Sequence, residues 1–305
     1  MEKLRHGRIA AVAACAFLGF TLVHGEAEAG LLGKRKAPAP AADTPQADTV
    51  VAKVRLALDE SRYSDAGRML DEALAAGVTD PRLILLSGEV HLARGRDDSA
   101  IRSFSAAEAA PSLAAEAAAG RGIALSRLGR SDDALAALTK AVTADPTLWR
   151  AWNALGVEYD RRKDWAKAEA AYDAALKQPK ATAQVLNNRG YSRLLQGRSE
   201  EAASDFVAAL RKDPALAQAR TNLRLALAMR GEYDKASSVS ASEDKAALLN
   251  NAGFVALMQG DLDVAEDLFA KAVAAKGEFY ARAHENLEMT RSLKQAAARQ
   301  QVTTP

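Results

Sequence analysis

The stretch that decides the reading is WNALGVEYDRRKDWAKAEAAYDAAL, residues 152–176. Gly156 sits in its first half, and Ala168, Tyr172 and Ala175 sit in its second. The two alanines are seven residues apart, two helical turns along one face, with the bulky Tyr172 between them. Small residues at these places let two helices approach closely, and the aromatic ring fills the space between them. The stretch therefore predicts a pair of antiparallel helices.

Outward from it, the same pattern returns every 34 residues. Glycines stand at Gly88, Gly122, Gly156 and Gly190. Alanines follow the period at Ala66, Ala100, Ala134, Ala168, Ala202 and Ala236, and again at Ala73, Ala107, Ala141, Ala175 and Ala209. The large apolar place reads Leu70, Phe104, Leu138, Tyr172 and Phe206, and Pro146 and Pro214 end two of the units. Gly129-Arg130-Ser131, Gly197-Arg198-Ser199 and Gly260-Asp261 would close one helix and cap the next. One such unit cannot bury its apolar face alone, so the units must stack.

Trp152, Leu155, Gly156, Tyr159, Ala168, Tyr172 and Ala175 make the chain resemble the tetratricopeptide-repeat (TPR) family. The resemblance covers residues 47–279 in seven units: 47–80, 81–114, 115–148, 149–182, 183–216, 217–245 and 246–279. It implies an all-α fold, a right-handed α-solenoid of helix-turn-helix repeats. The first unit has Val54 where glycine is expected. The sixth is short, because Ala236 to Ala265 spans 29 residues, and Arg224 takes its glycine place. Its second half decays into Ser237-Ser238-Val239-Ser240-Ala241-Ser242, and serine is a poor helix interior, so an irregular second helix and a local break are predicted. Residues 280–298 read as a final helix covering the end of the stack, and 299–305 as a frayed tail.

Residues 1–29 carry Lys3, Arg5 and Arg8, then an apolar run from Ile9 to Val23, then Ala27-Glu28-Ala29. That order predicts a secretory signal peptide cut after Ala29, hence a periplasmic protein. The run is 15 residues, short of the ~20 a membrane-crossing helix needs. Val12-Ala13-Ala14-Cys15 offers a second reading, a lipobox with Cys15 lipidated and the protein anchored at the outer membrane, although only Ile9 to Ala14 precede it. Residues 30–46, rich in alternating Ala and Pro, read as a linker.

Composition narrows the function. The charge is +2 from 41 basic and 39 acidic residues, spread along the chain, which argues against nucleic-acid binding. Cys15 is the one cysteine, so no intramolecular disulfide or cysteine metal cage can form. His91 and His284 stand alone, and no phosphate loop, H-E-x-x-H or G-x-S-x-G occurs. Asp132-Asp133 and Glu200-Glu201 sit at helix starts, where the helix dipole accounts for them. We expect no catalysis, no cofactor and no metal.

The family pattern implies that the second, fifth, ninth, twelfth and thirteenth places of each first helix face a groove. The fifth places are Asn153, Asn187, Thr221 and Asn250, and the ninth are Val157, Tyr191, Leu225 and Phe254. An apolar stripe edged by amides suits a peptide, the amides meeting its backbone and the stripe its apolar side chains. The asparagines at the sixth place, Asn188, Asn222 and Asn251, read as structural. Residues 149–279, with LNNRGYSRLLQGRSEEA (186–202), ARTNLRLALAMRGEYDKA (219–236) and LLNNAGFVALMQGDLDVA (248–265), are also similar to the TadD-type tight-adherence (Flp) pilus assembly proteins. That resemblance implies a periplasmic, outer-membrane-associated protein whose partner is a secretin or another pilus-assembly component. A general cell-envelope scaffold and a non-catalytic subunit of an envelope enzyme complex remain alternatives, as does occupation of the groove by the chain's own C-terminus.

Overall fold

A computed structural model describes residues 44–238, 244–276 and 281–302. The proposed export segment with Cys15, and most of the linker, lie outside them. Among the described residues there are fifteen helices and no strand, packed as consecutive helix pairs. None of these helices is long and apolar enough to cross a membrane. The chain divides between Ala181 and Thr182 into two compact bodies.

The first body holds α1 (Thr44–Asp59), α2 (Tyr63–Ala75), α3 (Pro81–Ala93), α4 (Asp97–Ala107), α5 (Ala114–Arg127), α6 (Ser131–Ala144), α7 (Trp149–Arg161) and α8 (Trp165–Leu176). Each odd-numbered helix packs against the even one that follows it, and α1, α3 and α5 pack also against the next odd one. The turns inside these pairs need a left-handed residue. Gly95 and Gly129 supply it in two pairs, while Ser61 and Lys163 adopt φ 58° in the others.

The periodic residues are the core. Ala66, Ala100, Ala134 and Ala168, then Ala73, Ala107, Ala141 and Ala175, are at most 5% exposed, as are Leu70, Phe104, Leu138 and Tyr172. A Cβ added at Gly156 would lie 2.5 Å from the Tyr172 ring, and one at Gly88 2.6 Å from Phe104. The glycine row is therefore where the first helix of each pair meets the large residue of the second.

The second body holds α9 (Ala183–Leu195), α10 (Ser199–Lys212), α11 (Ala217–Met229), α12 (Tyr233–Ser238), α13 (Lys245–Gln259), α14 (Leu262–Lys276) and α15 (Ala281–Val302). Here Gly190 faces Phe206 and Gly253 faces Phe269 in the same manner. In the sixth unit α12 is six residues long, and Val239 to Ser242 lie outside the described residues. The break expected there does not interrupt the packing, since α12 rests on both α11 and α13. Ala228, Ala236 and Val255 form a small core between them. The Tyr233 hydroxyl stands 2.7 Å from Gln259 Oε1, and Gln259 Nε2 donates to the Met229 carbonyl at 2.8 Å. α15 packs on α14 and α13 through Ala283 and Leu287 and continues to Val302.

Candidate functional site

Each first helix shows the ninth and thirteenth places of its unit on one face, because four residues make about one turn. In the second body the ninth places are Tyr191, Leu225 and Phe254, and the thirteenth are Leu195, Met229 and Met258. All six are half-buried; Tyr191, Leu225 and Met229 pack against one core cluster and Phe254 against another.

α15 extends this row. Asn286 Nδ2 donates to Asn250 Oδ1 at 2.9 Å, as Asn222 Nδ2 donates to Asn187 Oδ1 at 3.0 Å. The spacings, 36 and 35 residues, place α15 in the register of a first helix. Three residues beyond Asn286, as Leu225 is three beyond Asn222, stands Met289, and four further stands Leu293. Both are 45% exposed. The chain's C-terminal helix thus lengthens the apolar stripe and does not fill it. Reading 280–298 only as a cover missed these two residues. A signal for them existed: an asparagine followed three residues later by a large apolar residue recurs at Asn188-Tyr191, Asn222-Leu225, Asn251-Phe254 and Asn286-Met289.

The amides expected to edge the stripe are placed differently. Asn187 and Asn250 are 4% and 3% exposed and accept from the asparagine of the next first helix. A buried amide must be paired, and these pair with each other between units. They are corrected from groove contacts to inter-unit ties. Gln184 Nε2 likewise donates to Asn188 Oδ1 at 2.9 Å. Thr221 is exposed and accepts from Arg224 Nη2 at 3.2 Å. Asn153 and Val157 are half-buried on α7, in the first body.

In the first body the same places carry charge. The ninth are Arg55, Glu89, Ile123 and Val157, and the thirteenth are Asp59, Ala93, Arg127 and Arg161. Arg127 Nη1 donates to the Leu92 carbonyl at 2.7 Å and Arg161 Nη1 to the Ser126 carbonyl at 2.9 Å. Each guanidinium thereby satisfies a main-chain oxygen near the end of the preceding first helix, where carbonyls lack helical partners and attract cations. Burial pushes the Glu89 carboxyl above the usual carboxylate range, Arg55 and Arg150 oppose the rise, and Glu116 and Asp59 add to it.

Two buried carboxylates escaped the sequence reading. Glu158 on α7 has no exposed surface. It accepts from Ser126 Oγ, from Ser131 Oγ at 2.5 Å and from Arg161 Nη1 at 2.6 Å. Ser131, expected to cap a helix, instead ties the α5–α6 turn to α7, while Arg130 occupies the cap position without a side-chain capping bond. In the second body Asp205 on α10 accepts from Arg189 at 2.6 and 3.0 Å and from Arg193 at 2.8 Å. Position in the repeat gives no warning of either cluster, whose partners lie on separate helices.

His91 is half-buried, its pKa lowered by burial and then by Arg96, Arg94 and Arg102. Among the described residues no group of three or more His, Cys, Asp or Glu could hold a metal ion.

A tetratricopeptide-repeat family model matches residues 51–115, 119–184 and 187–239, more than half of the chain. Searching the curated proteins returned no match. Among solved structures, a tetratricopeptide repeat protein from Parabacteroides merdae is 18% identical, with 80% of this chain and 98% of that one aligned and a TM-score of 0.50. The C-terminal part of a TPR repeat-containing protein from Cytophaga hutchinsonii is 16% identical over 78% of this chain and 99% of that one, TM-score 0.54. A chain of the APC/C hetero-tetramer Cut9-Hcn1 is 16% identical with a TM-score of 0.59, and the alignment spans 80% of this chain and 49% of that one. These likenesses are of fold.

Proposed function

The chain belongs to the tetratricopeptide-repeat family, and on that premise we propose that it is an exported, non-catalytic adaptor that seats a protein segment on the first-helix face of its second body. The observation that carries this is the two-row apolar stripe on α9, α11, α13 and α15, with Met289 and Leu293 each 45% exposed. Contiguous exposed apolar surface with polar edges marks partner sites far more often than single exposed residues do.

We assign the adaptor to assembly of a tight-adherence pilus, with a secretin or a neighbouring machine component as its partner. Support comes from the similarity of residues 149–279 to TadD-type proteins and from the basic, apolar and small-residue order of residues 1–29. Export places it in the periplasm after cleavage behind Ala29, or at the outer membrane if Cys15 is lipidated. A second reading, a general envelope scaffold, is favoured by the charged face of the first body. Two faces of unlike chemistry on one chain suit two partners.

The test is crosslinking in intact cells, with mass spectrometry of the captured partners and of the mature N-terminus. A crosslinked secretin supports the pilus reading, and a start at Gly30 or a lipidated Cys15 decides between the two modes of export. Partners from cell-wall or outer-membrane assembly instead move the function to the general scaffold. An uncleaved, cytoplasmic protein sinks the exported adaptor altogether.

A further inference from the structure

We propose that the occupant of the second body's stripe is an amphipathic helix, seated by an uncharged apolar face. The proposal rests on the reading that this face binds a protein segment, and it names the class of segment.

The chemistry beside the stripe favours a helix over an extended chain. An extended segment brings a main-chain N–H and a C=O per residue, and those it buries need partners. Most of the amides that would meet them already hold a bond within the protein. Asn222 is bonded to Asn187, Asn286 to Asn250, and Gln184 to Asn188 and, at 3.3 Å, to Gln218. A helix satisfies its own backbone internally and asks the surface only for apolar contact.

Charge and size point the same way. None of the residues in the ninth and thirteenth rows of this body is ionisable at neutral pH, so a charged group laid on them would lose water and gain no counter-charge. Packed helices lie about 8–10 Å apart, so four first helices carry a stripe of roughly 25–30 Å, the length of a helix of about 16–20 residues. Met229, Met258 and Met289 supply unbranched, polarizable contacts that adapt to the knobs of a helix. The chain's own last helix is excluded as occupant, because α15 forms part of the stripe.

The test uses the full chain and a fluorescent peptide of about 20 residues, with Leu at i, i+3, i+4 and i+7 and Gln and Ala elsewhere. A companion peptide of the same composition carries two prolines at its centre. Binding is followed by anisotropy and peptide helicity by circular dichroism. The helical peptide is expected to bind and gain helicity, with the proline peptide at least about tenfold weaker. Leu225→Asp, and separately Met289→Asp with Leu293→Asp, should each weaken binding at least about tenfold. The second variant changes only residues that are 45% exposed, so it keeps the test valid if the first loses helical content. Equal binding of both peptides, abolished by the variants, overturns the helix and leaves the binding face standing. Equal binding of the helical peptide to wild type and both variants overturns the face itself. Failure of both peptides overturns the proposal, and self-association lost in Met289→Asp would assign the stripe to a second copy of the chain.

Discussion

The two bodies are built from the same helical hairpin, yet they join their units by different chemistry. In the first, charged side chains bridge the units: Arg127 and Arg161 reach carbonyls of the preceding first helix, and Glu158 gathers two hydroxyls and a guanidinium. In the second, neutral amides tie first helix to first helix, Asn222 to Asn187 and Asn286 to Asn250, beside ion pairs from α15 to α14 such as Arg291 with Glu266. The faces differ to match, with Arg55, Glu89 and Arg127 in the first and Leu225, Phe254 and Met289 in the second. The repeat dictates only the places where helix meets helix. None of the ninth and thirteenth places is fully buried in either body, and their chemistry diverges between the two.

The comparison breaks first at Glu158. Glu158→Ala removes the shared acceptor of Ser126, Ser131 and Arg161, all on the first body. Breaking a buried ion pair costs about 3–5 kcal/mol, and Arg161, being partly exposed, can rehydrate, so a loss near ~3 kcal/mol is expected in urea unfolding. A loss below about 1 kcal/mol would mean the charged ties do not hold this body together.

Gly156→Ala comes next. The new Cβ would stand 2.5 Å from the Tyr172 ring, which is 1% exposed and held by its hydroxyl on Asp160 at 2.7 Å, so the ring has little room to yield. Overpacking of this kind costs about 1–3 kcal/mol, read as a lowered urea midpoint. A neutral result would show that the glycine row is not a packing requirement.

Asn187→Ala tests the amide ties. It leaves the Asn222 amide without its acceptor, for a loss of about 1–2 kcal/mol in thermal or urea unfolding. Had Asn187 been a groove contact, the substitution would weaken partner binding and leave stability unchanged. Tyr191→Ala, on the stripe itself, should weaken partner binding and leave stability nearly unchanged.

The smallest effect falls on Glu89. A carboxyl whose folded pKa lies above its ordinary value of 4.5 holds its proton more tightly in the folded chain. Its contribution therefore favours folding at low pH and is lost as pH rises from the ordinary value through the raised one. Glu89→Gln should stabilise the protein near pH 7 and leave it unchanged near pH 4, in parallel thermal melts. Equal melting at both pH values would show that burial does not set this group's energy.

Much of this was legible in the chain. The all-α repeat fold follows from the 34-residue recurrence of Gly, Ala and one large residue, because those residues touch partners within a single hairpin. Gly156 and Tyr172 are 16 residues apart, and local spacing dictates their meeting. The ninth-place stripe through Tyr191, Leu225 and Phe254 was likewise visible as a row of apolar residues. What the chain did not declare are contacts between neighbouring units. Asn187 looked like an open amide until Asn222, 35 residues on, was seen to fill it, and nothing in the repeat marked Glu158 as buried. The division at Ala181 and Thr182, the passage of packing through the short α12, and the register of α15 are also tertiary. A repeat period states which residues recur. Whether two side chains a unit apart come within 3 Å depends on how one hairpin stacks on the next, and that is settled only when every hairpin buries its apolar face at once.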